Sequence, residues 1–454
     1  MRIEKIYLRH IGPFEEITID LPKGNDPKRA DTYIFTGLNG SGKSTILYAV
    51  AAALGAGVSN TGEEHISRRM WDDRSLAAIS VDGEIVIVSK NTSEIDLINP
   101  LLKYENVESF TSFASSSFVT LRTVLKSNIR QNLHEIESFN RKYEERGVTV
   151  SHSFTPVFAY AGYRTFESYK LNAIQDLTQS PLANSLSFIK IGSTQQIAQW
   201  IANTDYKEAI YRRNGDHVKA DQQKAAIERI NTAISEISGI NLRFVVNIDP
   251  INVLVKQNNT ETTLDLLPDG LKAISSFLAD LLMRLDRLPL HPDYLNPLDR
   301  PFILLLDEIE IHLHAKWQRQ VLPVVQKLFP NAQILLSTHS PFVVGSAFDA
   351  HIIQLKTEGG KTTGYELFDT QVGQSYDAIL RLIFDLTERF DPDTERRYRE
   401  FEQLGDAVLA NKADFDRDLL PMAQQLASVS LEVGDLVAIK VNQIRRQMKL
   451  TVRK

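Results

Sequence analysis

The first twenty residues alternate. Ile3, Ile6 and Leu8 lead to a turn at Gly12-Pro13, after which Ile17, Ile19 and Leu21 alternate with Thr18 and Asp20. Period-two patterning of this kind predicts a pair of half-buried strands. A polar, Gly- and Pro-containing loop over Lys23–Asp31 follows, and then a short buried strand at Thr32–Thr36. Ser44–Leu54 is rich in strong helix formers and ends at Gly55. Residues 56–78 carry no clear pattern. Ala77–Val88 reads as a hairpin turning at Asp82-Gly83. A charged helix is predicted near Val119–Glu145, and a short apolar run at Pro156–Ala161. Residues 165–240 read as mostly helical, with Ile227, Ile230, Ile234 and Ile237 at helical spacing. Leu242–Ile248 and Asn252–Lys256 read as strands.

The pattern sharpens again after residue 270. Gly270–Leu288 predicts a helix, Pro301–Leu306 a fully apolar strand, Lys316–Phe329 a helix and Ala332–Ser337 a strand. Strands alternating with helices imply an α/β protein whose sheet is parallel at its core and covered on both faces. Residues 375–454 look helical throughout, with Ile379, Leu382, Ile383 and Leu386 on one face. There is no internal repeat.

Composition narrows the class. The chain has 454 residues, 43% apolar and 24% charged, as expected of a protein with a substantial core. No run approaches the roughly 18 apolar residues that cross a bilayer, and MRIEKIYLRH lacks the apolar stretch of a signal peptide, so a cytoplasmic location and no membrane partner are expected. The chain holds no cysteine, which excludes disulfides, thiolate metal sites and a cysteine nucleophile. A net charge of −6 argues against a generally basic nucleic-acid-coating surface. The C-terminal stretch IKVNQIRRQMKLTVRK, with Lys440, Arg445, Arg446, Lys449, Arg453 and Lys454, is either a solvated helix face or a local patch for nucleic acid or an acidic partner.

Three segments carry chemistry. GLNGSGKS at Gly37–Ser44 fits G-x-x-x-x-G-K-[ST] between a strand and a helix. Glycines there let backbone N–H groups turn inward around phosphate oxygens, and the following helix points its positive end at the anion. Asn39, Gly40, Ser41, Gly42, Lys43, Ser44 and Thr45 are therefore the candidate ATP-binding residues. Lys43 would reach the β- and γ-phosphates, and Ser44 would offer an oxygen to Mg²⁺. ILLLDE at Ile303–Glu308 puts two acids at the C-terminal end of a buried strand, where open α/β sheets bind ligands. Asp307 would hold Mg²⁺ through water, and Glu308 would orient or deprotonate an attacking water. His339, just past the strand Gln333–Leu336, would donate a hydrogen bond to a γ-phosphate or position the water.

In this order, with Leu267-Pro268-Asp269-Gly270 ahead of ILLLDE and EIHLH after it, the set resembles the ABC-type ATPases of the RecF, SMC and OLD group. Within that group it is most similar to the AAA-15/AAA-21-type ATPases of bacterial anti-phage systems (Septu, retron-associated, PARIS). The likeness covers residues 1–60 and 155–350.

That resemblance implies a P-loop NTPase head with a mixed sheet: residues 1–99 as its N-terminal part, 100–150 as a helical insertion, 151–374 as the rest of the head, and 375–454 as a helical oligomerisation or partner region. It implies a Mg²⁺-dependent ATPase whose heads pair as a homodimer or higher homo-oligomer, each ATP lying between one chain's phosphate loop and the other's signature segment. Pro268, Asp269 and Gly270 head that segment here, with Pro268 in place of the family's serine, so a hydroxyl and an N–H are both missing. Glu310–His314 stands where the family has its D-loop; His312 and His314 either contact ATP or pack. In Tyr160–Arg164, which lacks the transporter glutamine, Arg164 meets phosphate, meets the partner head or forms a salt bridge. Arg9 is the base nearest the first turn. The resemblance also implies a separately encoded effector of nuclease or Toprim type, with nucleic acid or a phage protein as a further partner. Two alternatives stand beside this: a DNA-repair ATPase of the SMC/RecF kind, and a slow nucleotide-gated scaffold.

Overall fold

A computed structural model describes residues 1–55, 74–89 and 154–454, with breaks at 27, 83, 189–192, 290–292, 295, 371–372 and 452–454. Between 90 and 153 it describes 110–115, 118–123 and parts of 135–143. The described chain divides into two compact units, Met1–Phe384 and Asp385–Lys454.

The first unit is organised on a ten-stranded sheet. Its strands, in chain order, are β1 (Ile3–Ile11), β2 (Phe14–Asp20), β3 (Asp31–Gly37), β4 (Leu76–Val81), β5 (Glu84–Ser89), β8 (Val157–Tyr160), β12 (Ile303–Leu306), β13 (Gln333–Ser337), β14 (Ala350–Glu358) and β15 (Lys361–Asp369). They lie in the order β5-β4-β1-β2-β15-β14-β3-β13-β12-β8. The run from β14 to β8 is parallel, and the β5-β4-β1-β2 wing is antiparallel. The sheet is thus mixed, with a parallel heart at the strands that carry the motifs.

Those central strands are apolar on both faces because both faces are covered. Ile34, Phe158, Leu304, Leu306, Ile334 and Leu336 belong to one core. Tyr33, Phe35, Val157, Ala159, Ile303, Leu305 and Leu335 belong to the other. The second core is filled by α1 (Lys43–Gly55), whose ILYAVAAAL is buried all round, as an apolar helix without a polar stripe must be. The first core is filled from α2 (Thr194–Arg213), α3 (His217–Ser238), α4 (Asp269–Arg287) and α5 (Ala315–Leu328). A separate antiparallel sheet, β9 (Leu242–Ile248), β10 (Ile251–Gln257) and β11 (Thr260–Thr263), runs by way of a short 3-10 turn into α4.

The second unit has its own core. It packs α8 (Pro392–Leu409), α9 (Leu420–Ala427) and α10 (Leu431–Thr451) around Phe401, Leu419, Val433, Val437 and Ile444. Gly405 lets α10 approach, since a Cβ there would lie 2.7 Å from Ile444.

Several expectations change. The helix predicted from Val119 begins instead as a hairpin of β6 (Phe110–Ser115) and β7 (Phe118–Thr123), so residues 100–150 are not simply a helical insertion. Phe, Thr and Val there outweigh the charged helix formers that come later; the remainder of that stretch falls largely outside the described residues. Helix begins only at Thr194, and residues 165–188 run irregularly, punctuated by Asn172, Pro181 and Asn184. The periodic face at 379–386 stops short as well: α7 (Tyr376–Ile383) ends before Leu386, and Asp385 has φ +52°. The pattern does not assign 350–369, where β14 and β15 form the longest hairpin of the sheet. Arg453 and Lys454 lie outside the described residues.

Candidate functional site

The loop between β3 and α1 takes its shape from three glycines. Gly37, Gly40 and Gly42 have φ of +139°, +84° and +95°, which L side chains rarely adopt. At Gly42 packing adds a second demand: a Cβ would sit 2.4 Å from the ring of buried Phe14 and 2.8 Å from Pro13. Turning the loop at these points leaves a cleft of about 660 Å³ at the start of α1. It is lined by the loop residues Asn39, Gly40, Gly42, Lys43, Ser44 and Thr45 and also by Glu308 and His339. Ser41 is buried beside it, with its Oγ unpartnered. The donor set is that of a phosphate cradle: inward-turned backbone at positive φ, one lysine and a helix N-terminus.

Lys43 donates from Nζ to the carbonyls of Gly37 and Leu38, both at 2.9 Å. Burial pushes its pKa down to about 8, against the pull of Glu308, Asp307 and Glu310. An anion in the cleft would restore what burial takes away.

The acids come from the ends of the neighbouring strands. Asp307 N–H donates to Tyr160 O at 2.8 Å, continuing the β8–β12 pairing. Asp307 lies behind the cleft wall, not on it, and Oδ1 accepts from Ser337 Oγ at 2.5 Å. The same hydroxyl accepts from Glu308 N–H at 2.9 Å. One serine at the end of β13 therefore fixes both acids at the end of β12. Glu308 has φ +48°, an uncommon conformation for a non-glycine residue and one found preferentially at functional sites. His339 sits across the cleft, its pKa lowered by burial and by the Lys43 charge, with Asp307 opposing. It is a neutral imidazole at neutral pH.

Two walls have no counterpart among the residues predicted from sequence. The β1–β2 turn contributes Gly12 and Pro13, and the β14–β15 turn contributes Gly360. They are joined to the phosphate loop through Thr362, whose N–H donates to Pro13 O at 3.0 Å and whose Oγ1 donates to Ser41 O at 2.7 Å. The Gly359-Gly360 pair between alternating runs is the hairpin signal that would have found the second wall.

Other candidates do not join the cleft. Pro268, Asp269 and Gly270 form the N-terminus of α4, apart from the lining residues of their own chain. Pro268 is the N-cap, with no side-chain cap bond. His314 caps α5, its Nδ1 accepting from Lys316 N–H at 3.3 Å, and His312 lies edge-on to Tyr163. Packing and capping, not cleft contact, account for these two histidines. Arg164 is buried and donates to the carbonyls of Gly162 and Glu308 at 3.4 and 3.3 Å; its role in this chain is to hold backbone beside Glu308. Burial lowers its pKa to about 10. Arg9 does not line the cleft.

The two halves of the fold meet in a buried network. Tyr160, at the end of β8, donates to Asp280 of α4 at 2.8 Å, and Asp280 also accepts from Arg284 at 2.6 Å. Arg284 continues to the carbonyls of Pro181 and Ala183 at 2.7 and 2.9 Å.

A glycine-turned loop feeding a buried helix, with two acids at the next strand end but one, defines a P-loop nucleotide-binding protein. The comparisons with known proteins agree: a profile described as an AAA domain matches residues 5–239, a second AAA-domain profile, AAA_21, matches residues 200–345, and the chain belongs to the AAA-domain family. It is 26% identical over 377 residues to the “Retron Vc95 probable ATPase” of Vibrio cholerae, covering 75% of this chain and 71% of that one. To the “Septu protein PtuA” of Bacillus thuringiensis it is 23% identical over 292 residues, covering 61% and 71%. Among solved structures, the head of an Smc protein bound to the C-winged helix domain of ScpA aligns over 81% of this chain and 98% of its own, at 14% identity and a TM-score of 0.45. No helix among the described residues is long and apolar enough to cross a membrane.

Proposed function

We propose that this chain binds ATP with Mg²⁺ in the cleft and hydrolyses it, as the ATPase subunit of an anti-phage defence complex whose effector is a separate protein. The observation that carries the ATPase reading is the convergence of Lys43, Ser44, Glu308 and His339 on one cleft, with Asp307 pinned behind them. Lys43 and the loop N–H groups hold the phosphates. Ser44 and Asp307 would hold Mg²⁺, which would offset phosphate charge. Glu308 orients the attacking water, and neutral His339 donates to the terminal phosphate. The defence role is supported by the similarity to a retron ATPase and a Septu protein.

In this reading two heads pair, and Pro268–Gly270 of one approach the nucleotide of the other. The exposure of Pro268 and Asp269, away from their own chain's cleft, fits such a role. A second reading, a slow nucleotide-gated scaffold, draws on Pro268, which brings neither hydroxyl nor N–H to the interface.

The test is ATP turnover by wild-type protein, Lys43→Ala and Glu308→Gln. Lys43→Ala should abolish Mg²⁺-dependent hydrolysis, and Glu308→Gln should retain ATP and shift the protein to a heavier assembly. Equal turnover in wild type and Lys43→Ala would remove the ATPase assignment. Intact ATP binding with turnover far below about 1 per second would select the scaffold.

A further inference from the structure

The strand ends that carry Glu308 and His339 are tied together twice. The lower tie is Ser337, already described. The upper tie is Glu310, two residues beyond Glu308. His339 N–H donates to Glu310 Oε1 at 2.5 Å. Backbone bonds from Ile311 to Glu308 O at 3.2 Å and from Leu313 to Glu310 O at 3.0 Å close the turn that presents this carboxylate.

Three further observations set Glu310 apart from an ordinary turn carboxylate. Its other oxygen, Oε2, is shut off from solvent and has no hydrogen-bond partner. Burial pushes its pKa up, and the Glu308 charge adds to this, while the N–H groups of His339 and of Glu310 itself and the Thr338 hydroxyl pull it down. It does not line the cleft: it reaches the reacting groups through the His339 backbone and, as the weakest of three nearby acids, through its charge on Lys43.

A half-buried carboxylate with one oxygen shut off from solvent, held at a desolvation cost and accepting the His339 N–H, is poorly explained by stability, since a well-packed apolar residue would avoid that cost. It is well explained by position. A charge-assisted N–H···O bond is short and directional, and this one fixes the backbone of a residue that lines the cleft together with Glu308.

We infer that Glu310 is a positioning residue for ATP hydrolysis, setting the place of His339 relative to Glu308 by accepting the His339 backbone N–H. The inference rests on the proposed ATPase reading of the cleft. On the binding half of the site, the phosphate loop, Glu310 acts only as the weakest of the three acids near Lys43, so its loss acts chiefly on the chemical step.

Chain reach and charge can be separated. Glu310→Gln keeps an acceptor oxygen at the same distance along the side chain and removes the charge. Glu310→Asp keeps the charge and withdraws the acceptor by one methylene. Misplacement of a reacting group by about 1 Å can cost on the order of 100-fold in rate. Steady-state ATPase assays on the full-length variants should give Glu310→Gln a kcat within about 3-fold of wild type, and Glu310→Asp a kcat at least about 10-fold lower. KM for ATP should stay within about 2-fold in both, the signature of an interaction that matters only beyond the ground state. Glu310→Asp equalling or exceeding Glu310→Gln would overturn the inference, as would wild-type kcat in both, or a change in KM alone. Lys43→Ala, run alongside, separates the two levels. Lys43-dependent hydrolysis that ignores Glu310 sinks only this inference; hydrolysis that ignores Lys43 sinks the reading of the cleft and takes the inference with it.

Discussion

The phosphate loop Gly37–Ser44 and the segment Leu267–Gly270 both lead into a helix, and they sit in the protein in different ways. The first is shaped from within its own chain. Phe14 and Pro13 press on Gly42, Thr362 holds Ser41, and Ser337 fixes the acids that face the loop. The second keeps an open edge: Pro268 O accepts from Lys272 N–H at 2.9 Å, Pro268 and Asp269 are exposed, and only Gly270 is pressed by the rest of the chain, where a Cβ would lie 2.8 Å from His312 O and from the Trp317 ring. One segment reads as a site and the other as a surface. What joins them is buried, the Tyr160–Asp280–Arg284 network between the end of β8 and the body of α4.

The largest effect that sharpens this contrast is expected from Gly42→Ala. A Cβ there meets Phe14 at 2.4 Å, and the residue has φ +95°. Left-handed backbone costs an L residue about 1–2 kcal/mol, and overpacking adds about 1–3 kcal/mol, so denaturant unfolding should show a loss of roughly 3 kcal/mol together with loss of nucleotide binding. Gly40→Ala is the control. Gly40 has φ +84° with nothing within 4 Å of an added Cβ, so only the backbone cost of about 1 kcal/mol remains. Equal losses at both positions would show that Phe14 does not shape the loop.

The pH dependence comes next in size. Burial holds Lys43 at about 8 in the folded protein against an ordinary value of 10.5. Between these values the unfolded chain binds more protons, so stability rises with pH across roughly pH 8 to 10.5. At about 1.4 kcal/mol per pKa unit, the gain approaches 3 kcal/mol by pH 10.5. Unfolding free energies of wild type and Lys43→Met compared across that window should converge or cross as pH rises. A constant difference would mean that Lys43 is not strained by burial.

The same contrast explains what could be read from sequence. Residue types that can serve only one purpose were legible: Gly-x-x-x-x-Gly-Lys-Ser, an apolar run ending in two acids, and a histidine, His339, just past a strand. The strands and helices around them followed, because their apolar periods are long. The walls at Gly12, Pro13 and Gly360 were not found, because a glycine in a turn is ambiguous until another strand is known to lie beside it. Ser337 and Thr362 were invisible for the same reason: a hydroxyl becomes a tether only when folding brings its acceptor near. Arg164 and His314 were left open by the sequence. Each is a charged or titratable type beside a motif, and each is spent on backbone, at the carbonyls of Gly162 and Glu308 and at the N–H of Lys316. The strand at Phe118–Thr123 was masked by the charged residues that follow it.

The smallest expected effect on stability, and the one that bears most directly on the contrast, is that of Pro268→Ser. Pro268 has φ −55° and ψ 144°, values a serine adopts without strain. As an N-cap, serine can accept from an N–H of the first turn, worth about 1 kcal/mol. Against that, removing proline frees the unfolded chain, at about 0.4–1 kcal/mol. The two terms nearly cancel, so unfolding free energy should change by no more than about 0.5 kcal/mol. ATP affinity at protein concentrations too low for assembly should not change, because the residue does not line its own chain's cleft. In the proposed paired state the new hydroxyl would face the partner's nucleotide, so turnover at concentrations that permit pairing should rise several-fold. A change in affinity for the isolated chain would place this segment within its own site. Unchanged turnover alongside demonstrated pairing would leave the helix N-terminus, without a side chain, as what the segment offers to its partner.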